Sequence, residues 1–331
     1  MYNRQYRHFV YGKPLKTRVI RIRSWIQAIT LVVLTVFACL LVYRIIYSAS
    51  AKGRIPSEWD NYDALHALLP TAALESLFVS VKTTGSQHDR RLPVLLQTWF
   101  QLVCAHTWFF TDTDDPQYAE RTRGHLIKTN CPASHEIGDL CCDLWVAVEK
   151  FVESGQVWFC HVHDDVYVNV PRLLDLLSEH DPREAWYLGK PSVRVPRTNS
   201  SEAPEQVHFS FASSDSGFCL SRALALEMMP VAGRGKFASI CKTMGMSYDV
   251  TLGYVIEHLL NTSLTVIDKF HSHREAMKLI EIETLYEHIT FSYSNDKINV
   301  VNLDGFDVEM DPTRFLTIHC YLFPNFSFCP K

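Results

Sequence analysis

The sequence predicts an α/β domain built on a mostly parallel central sheet flanked by helices, preceded by an N-terminal transmembrane helix. Three observations carry this expectation. Apolar runs of strand length alternate along the chain with segments whose apolar residues recur at helical spacing. An uncharged, largely apolar stretch of nineteen residues, Trp25 to Tyr43, stands near the N-terminus. The composition, 47% hydrophobic and only 21% charged in 331 residues, supports a large packed core and excludes a disordered polyelectrolyte. Thirteen glycines and fifteen prolines are too few for a collagen-like or low-complexity chain.

Taken in order, residues 1–24 read as a cytoplasmic tail, 25–47 as a signal-anchor, 48–73 as a lumenal stem and 74–331 as the catalytic domain. At helical rise the uncharged stretch spans roughly 28 Å, about a hydrocarbon core. Seven basic residues (Arg4, Arg7, Lys13, Lys16, Arg18, Arg21 and Arg23) precede it and Arg44 follows, a positive-inside bias that predicts single-pass type II topology. The competing reading is a cleaved signal peptide ending in the small residues Ser48 to Ala51, but the apolar run is long for that role. Residues 1–44 contain no acid, leaving 24 basic against 36 acidic residues, net −12, in the rest. That sign argues against nucleic acid as a partner of the main domain. Pro56 and Pro70 suit a stem.

Within the domain, Leu77 to Lys82 has strand character, followed by Leu92, Leu95, Leu96 and Trp99 on one helical face. Thr107 to Thr111 reads as a second strand. Leu140, Leu144, Val148 and Phe151 form a helical stripe, and Val157 to Val162 a fully buried strand. Pro171 then opens a helix with Leu173, Leu174, Leu176 and Leu177 inward. A further helical pattern covers Val250 to Leu260. Nine of the ten cysteines follow the apolar stretch, on the side expected to be oxidising, so disulfides are expected with at least one thiol left over. Cys131 with Cys141 or Cys142, and Cys320 with Cys329, are spaced to close short loops. Three N-glycosylation sequons begin at Asn199, Asn261 and Asn325.

In open α/β sheets ligands gather at the carboxyl ends of strands, and the third strand ends in His163, Asp164 and Asp165. Hard carboxylate oxygens and one imidazole suit Mn²⁺ or Mg²⁺ beside a nucleotide diphosphate. A plainer reading makes Asp165 the cap of the next helix. Similarly, Asp249 suits an N-cap, His271 and His273 suit one face of a strand, and Lys82 to Thr84 could simply end one.

The string Trp158-Phe-Cys-His-Val-His-Asp-Asp-Val-Tyr-Val-Asn169 resembles the WFCHVDDDNYVN segment of the Fringe glycosyltransferases. Other strings agree in order: Val81-Lys-Thr-Thr84, Leu95-Leu-Gln-Thr-Trp99, Phe110-Thr-Asp112, Thr129-Asn-Cys131, Gly189-Lys-Pro-Ser192, Gly217-Phe-Cys219, Thr251-Leu-Gly-Tyr254, Phe270-His-Ser-His273 and Ile318-His-Cys320. The resemblance, over residues 74–331, implies a GT-A glycosyltransferase fold, UDP-N-acetylglucosamine (UDP-GlcNAc) as donor, Mn²⁺ as cofactor and a Golgi membrane location. It implies transfer in β1,3 linkage to O-linked fucose on EGF-like repeats of Notch-type receptors. By position it makes Asp165 and His273 metal ligands and Asp249 the general base. Thr83, Thr84, Arg91, Asp112, His163 and Asp164 become donor-pocket residues. It pairs Cys131 with Cys142, Cys160 with Cys219, and Cys320 with Cys329, leaving Cys104, Cys141 and Cys241 over.

The chain departs from the family pattern at His163, which replaces the first Asp of a triple. Ser214 and Asp215 replace two glycines of FATGGAGF, and Ser247-Tyr-Asp-Val-Thr251 stands for PDDCT. The metal site is expected to survive, with the nucleotide held differently. Two alternatives are a related β1,3-galactosyltransferase of the core 1 type and a catalytically inactive homologue that binds glycoproteins. Neither G-x-G-x-x-G after a strand, nor G-x-x-x-x-G-K-[ST], nor H-E-x-x-H occurs, which argues against dehydrogenase, P-loop and zinc-protease chemistry.

Overall fold

The computed structural model describes residues 25, 30–40, 69–132, 137–192, 208–294 and 300–330. The chain divides into two units, Met1–Ser57 and Glu58–Lys331. In the first, residues 30–40 are helical and their large apolar side chains, such as Leu31, Val33 and Phe37, are exposed. The Thr35 hydroxyl donates back to the carbonyls of Leu31 and Val32. Among the described residues no helix is long and apolar enough to cross a membrane. The predicted tail, most of the stem, and positions 26–29 and 41–47 of the predicted anchor lie outside the described residues.

In the second unit β1 (Leu77–Lys82) is followed by α1 (His88–Gln97), β2 (Thr107–Thr111), β3 (Leu126–Lys128) and α2 (Ile137–Ser154). Next come β4 (Trp158–His163), β5 (Val166–Val168), α3 (Val170–Ser178), β6 (Tyr187–Gly189), β7 (Phe218–Ser221) and α4 (Arg222–Ala232). Helices α5 (Lys236–Met244) and α6 (Tyr248–Gly253), strands β8 (Leu264–Val266) and β9 (Thr290–Ser292), and α7 (Phe315–Leu322) follow, with shorter helices such as Thr71–Glu75, Phe100–Val103 and Pro116–Arg121 between the named elements. Seven strands form one sheet, β3-β2-β1-β4-β7-β6-β8, and β5 pairs with β9 apart from it. Strands β3, β2, β1 and β4 are mutually parallel, as are β6 and β8, whereas β7 runs antiparallel to both its neighbours.

Burial on both faces explains the unbroken apolar reading of β1. Leu77, Val79 and Val81 pack with Leu92, Leu95 and Leu96 of α1 in one core cluster. Phe78 points the other way, into a cluster with Leu144, Val148 and Phe151 of α2. Four disulfides are present: Cys131–Cys142, Cys160–Cys219, Cys320–Cys329 and Cys141–Cys241. Cys160 and Cys219 are direct register partners across β4 and β7. The last pair corrects the expectation that Cys141 and Cys241 are left over: α2 packs against α5 and brings two cysteines 100 residues apart into bonding distance, a proximity that sequence spacing does not show. Cys104 is a buried thiol.

The helix expected over Val250 to Leu260 stops being α-helical at Gly253 and continues as π-helix over Tyr254–Leu259. A Cβ on Gly253 would lie 2.3 Å from Phe211 Cβ and 2.8 Å from the Ser210 carbonyl, so glycine lets this helix lie against the 210–211 backbone. Of the sequon asparagines, Asn261 and Asn325 are exposed and Asn199 lies outside the described residues.

Candidate active site

The carboxyl ends of β1, β2 and β4 sit side by side, because all three are parallel and Lys82 is in register with both Phe110 and His163. The Asp164 N–H donates to the Lys82 carbonyl (3.0 Å) and the Thr83 N–H to the Phe110 carbonyl (2.9 Å), which extends the ladder into the loops that carry the polar residues. Asp164 is almost fully buried, 4% exposed, and both its oxygens are engaged. The Thr83 hydroxyl donates to Oδ2 at 2.7 Å, and Arg91, from α1, reaches Oδ1 at 2.6 Å. The same guanidinium nitrogen lies 3.2 Å from Asp165 Oδ2. Arg91 thus neutralises an acidic pair that could not otherwise be buried together.

Asp165 keeps its other oxygen, Oδ1, buried and without a hydrogen-bond partner. Burial raises its carboxyl to about 7, and Asp164 and Asp215 add to the rise against the opposing pull of Arg91. Asp165 occupies the turn between β4 and β5, and α3 has Asn169 at its N-cap, so Asp165 is not that helix's cap.

A cavity of about 460 Å³ opens at this point, lined by Arg91, Asp164, Asp165 and His273 together with Tyr293 and Thr313. Asp165 and His273, 108 positions apart in sequence, therefore face one space. His271 and His273 do not share a strand face, since both lie outside regular structure. His271 turns away, its Nδ1 2.9 Å from Glu275 and its Nε2 2.6 Å from His288. Burial raises the Glu275 carboxyl, but hydrogen bonds from His271 and Lys190 outweigh it and hold it at about 2. His273 Nε2 is 3.6 Å from Asp215 Oδ2.

Among the described residues no group of three or more His, Cys, Asp or Glu side chains forms a complete metal cage. Asp165, one of whose carboxylate oxygens is buried without a donor, nevertheless lines the same cavity as the His273 imidazole, and this pair of ligand types fits a divalent cation whose remaining positions are filled by phosphate and water.

Asp249 lies in the first turn of α6, and the N-cap position is Ser247, which corrects the N-cap reading. Its Oδ2 accepts from the Ser214 hydroxyl at 3.2 Å; its Oδ1 accepts from the Ser247 hydroxyl and from the Val250 N–H at 2.9 Å. His163 Nε2 shares a hydrogen bond with the Tyr248 hydroxyl. Burial, then the charges of Lys82 and Arg91, push the His163 imidazole down to about 3, so it is neutral. Burial likewise raises the Tyr248 phenol and keeps its proton on. The Lys82 ammonium stands 4.8 Å from the Tyr248 ring, its pKa lowered by burial against the pull of Asp143, Asp164 and Asp249.

The remaining donor-pocket candidates, Thr84 and Asp112, are not among the residues lining the cavity. Asp112 accepts from the Gly85 N–H at 2.8 Å, and the Thr84 hydroxyl meets Ser86 at 3.0 Å. Sequence reasoning missed Tyr248, Ser247 and the placement of Lys82. Their signal was adjacency, Tyr248 and Ser247 next to Asp249 and Lys82 next to Thr83, because apolar patterning carries no information on loop contacts.

The class that this fold and site define is the open-sheet α/β domain binding a ligand at its strand carboxyl ends. The family model described as Fringe-like matches residues 72–326. The chain is 50% identical over 268 residues to the "Fringe glycosyltransferase" of Drosophila melanogaster, covering 79% of this chain and 65% of that relative. It is 42% identical over 266 residues to the "Beta-1,3-N-acetylglucosaminyltransferase lunatic fringe" of Bos taurus, covering 78% and 70%. The lunatic fringe of Homo sapiens is 41% identical over 286 residues, covering 84% and 75%. The chain belongs to the Fringe family. It spans just under two-thirds of the length of the Drosophila relative.

Proposed function

We propose that this chain is an inverting, metal-dependent β-1,3-N-acetylglucosaminyltransferase of GT-A architecture that moves N-acetylglucosamine from UDP-GlcNAc to O-linked fucose on EGF-like repeats of Notch-type receptors. The observation that carries the reading is the shared cavity of Asp165 and His273, with a carboxylate oxygen of Asp165 buried and unpartnered. The names of the similar proteins agree with the donor sugar and the linkage.

Asp165 and His273 would hold Mn²⁺, which when bound supplies positive charge against the departing diphosphate. Arg91 and Thr83 fix the neighbouring carboxylate Asp164 and so set the wall on which the donor lies. Asp249 accepts the proton of the fucose 3-hydroxyl as that oxygen bonds to the anomeric carbon. The bond from that carbon to the UDP oxygen breaks on the opposite face, and the configuration inverts. In the cell the domain would be held on the lumenal side of the Golgi membrane by the segment 25–47 as a single-pass type II anchor, with 1–24 as tail and 48–73 as stem.

The test is transfer to a fucosylated EGF-like repeat from UDP-GlcNAc or UDP-galactose, with Mn²⁺ or with EDTA. Mn²⁺-dependent transfer of N-acetylglucosamine is expected. Preferential turnover of UDP-galactose would move the chain to the core 1 type, and no turnover of either would leave the inactive glycoprotein-binding reading.

A further inference from the structure

Ser272-His273-Arg274-Glu275 reads S-x-x-E, the spacing with which a helix N-terminus closes on itself, yet the chain makes only a single turn here and no α-helix starts from it. The motif's bonds are nevertheless formed. The Ser272 N–H donates to Glu275 Oε1 at 2.9 Å, the Arg274 N–H to the Ser272 hydroxyl at 3.4 Å, and the Glu275 N–H to the Ser272 carbonyl at 3.2 Å. His273 is the second residue of the turn so closed. What the motif holds is therefore the residue whose imidazole lines the cavity with Asp165.

The second oxygen of Glu275 fastens this turn to the domain. Lys190, the residue after β6, donates to Oε2 at 2.6 Å, and His271 Nδ1 lies 2.9 Å from the same oxygen. The His271 N–H donates to the Thr290 hydroxyl of β9 at 3.0 Å, and that hydroxyl donates to the Ser216 carbonyl at 2.7 Å. One carboxylate thus ties the turn to the end of β6, while the neighbouring residue ties it to β9 and to the loop before β7. An amide cannot take over the task. The Ser272 N–H and the Lys190 amino group only donate, each to a different oxygen, and a glutamine offers one acceptor oxygen where two are used. His273 Nε2 is 3.6 Å from Asp215 Oδ2, too far for a hydrogen bond, so the backbone of the turn carries the imidazole to its place.

We propose that Glu275 is a positioning residue of the cation site: by closing the Ser272–Glu275 turn and bonding it to Lys190, it holds His273 where the imidazole can share an ion with Asp165. The proposal rests on the reading of Asp165 and His273 as metal ligands. A ligand already in place need not be ordered when the ion arrives, and outer contacts that fix a ligand are worth about 10- to 100-fold in metal affinity. The effect of Glu275 should therefore fall on affinity for the ion and not on turnover once the ion is bound.

The experiment titrates Mn²⁺ into the full chain at a fixed concentration of UDP and reads free Mn²⁺ by electron paramagnetic resonance, with thermal melts in EDTA as a check of folding. Glu275→Gln should weaken Mn²⁺ binding about ten-fold or more, and kcat at saturating Mn²⁺ should stay within about three-fold of wild type. Combined with His273→Ala it should bind Mn²⁺ no more weakly than His273→Ala alone, since Glu275 acts through His273. Wild-type Mn²⁺ affinity in folded Glu275→Gln, even with a lowered melting temperature, or losses that multiply in the double variant, overturns the proposal. Should Glu275→Gln fail to fold, Lys190→Met, which removes the donor to Oε2, decides by the same affinity criterion. His273→Ala is run beside them. Wild-type Mn²⁺ affinity there refutes the ligand reading itself, whereas loss of affinity in His273→Ala with wild-type affinity in Glu275→Gln refutes only the positioning role.

Discussion

Replacing Asp165 by Asn should separate stability from activity. In the native fold without cation, burial lifts the Asp165 carboxyl from the ordinary 3.8 to about 7. A carboxyl whose folded pKa lies above its unfolded one binds its proton more tightly in the native state. Folding stability therefore falls as pH rises from about 4 through 7, and the loss is complete above that range. A rise of roughly three units corresponds to about 4 kcal/mol, and the new amide, which buries an N–H where Oδ1 now has no partner, offsets about 1–2 of it. We expect Asp165→Asn to melt higher than wild type at pH 8 in EDTA by several degrees, taking about 2–4 °C per kcal/mol for a domain of this size. Near pH 4, where the linkage contribution is nearly gone, only the amide's cost of about 1–2 kcal/mol remains and the variant should melt slightly below wild type, and transfer activity should be lost at every pH. The assay is a series of thermal melts from pH 4 to 8 on both proteins. A melting difference that does not change with pH, or a variant less stable at pH 8, would refute the reasoning.

Thr83→Val removes the hydroxyl bonded to the buried Asp164 at 2.7 Å and should cost about 1.5–3 kcal/mol in denaturant unfolding, with a raised KM for the donor. Removing the Cys141–Cys241 disulfide by a double change to Ala reopens a 100-residue separation and should cost about 4–5 kcal/mol by chain entropy, visible as a lower melting temperature. Gly217 has φ +83°, and a Cβ there would sit 2.9 Å from Val162 Cγ1 and 3.2 Å from the His161 carbonyl. Gly217→Ala should accordingly destabilise by about 2 kcal/mol or more, read by chemical denaturation.

The elements built on long apolar patterns were legible because burial on both faces leaves only one way to read them. Strand β1 begins and ends where its apolar run does, and α2 and α3 follow their leucine stripes. The antiparallel course of β7 was not legible, since a four-residue buried strand reads alike in either direction. Short range also limited the histidines: spacing by two suggested one strand face for His271 and His273, but contacts with Glu275 and His288 draw His271 aside. At the candidate site, the rule that polar residues gather at strand carboxyl ends located Asp164 and Asp165 from the sequence alone. What it could not give is who neutralises whom. Arg91 bridges the acidic pair from α1, and Ser214, marked from the sequence only as a replaced glycine, holds Asp249 from a loop 35 positions away.

Gripping of one ion by two distant stretches of the chain is best settled by diffraction from crystals grown with Mn²⁺ and UDP, with data collected at the manganese absorption edge. The account predicts an anomalous peak in the cavity, bonded to the Asp165 carboxylate and the His273 imidazole and to diphosphate oxygens. A peak elsewhere, or UDP bound with no metal between those two side chains, would contradict it.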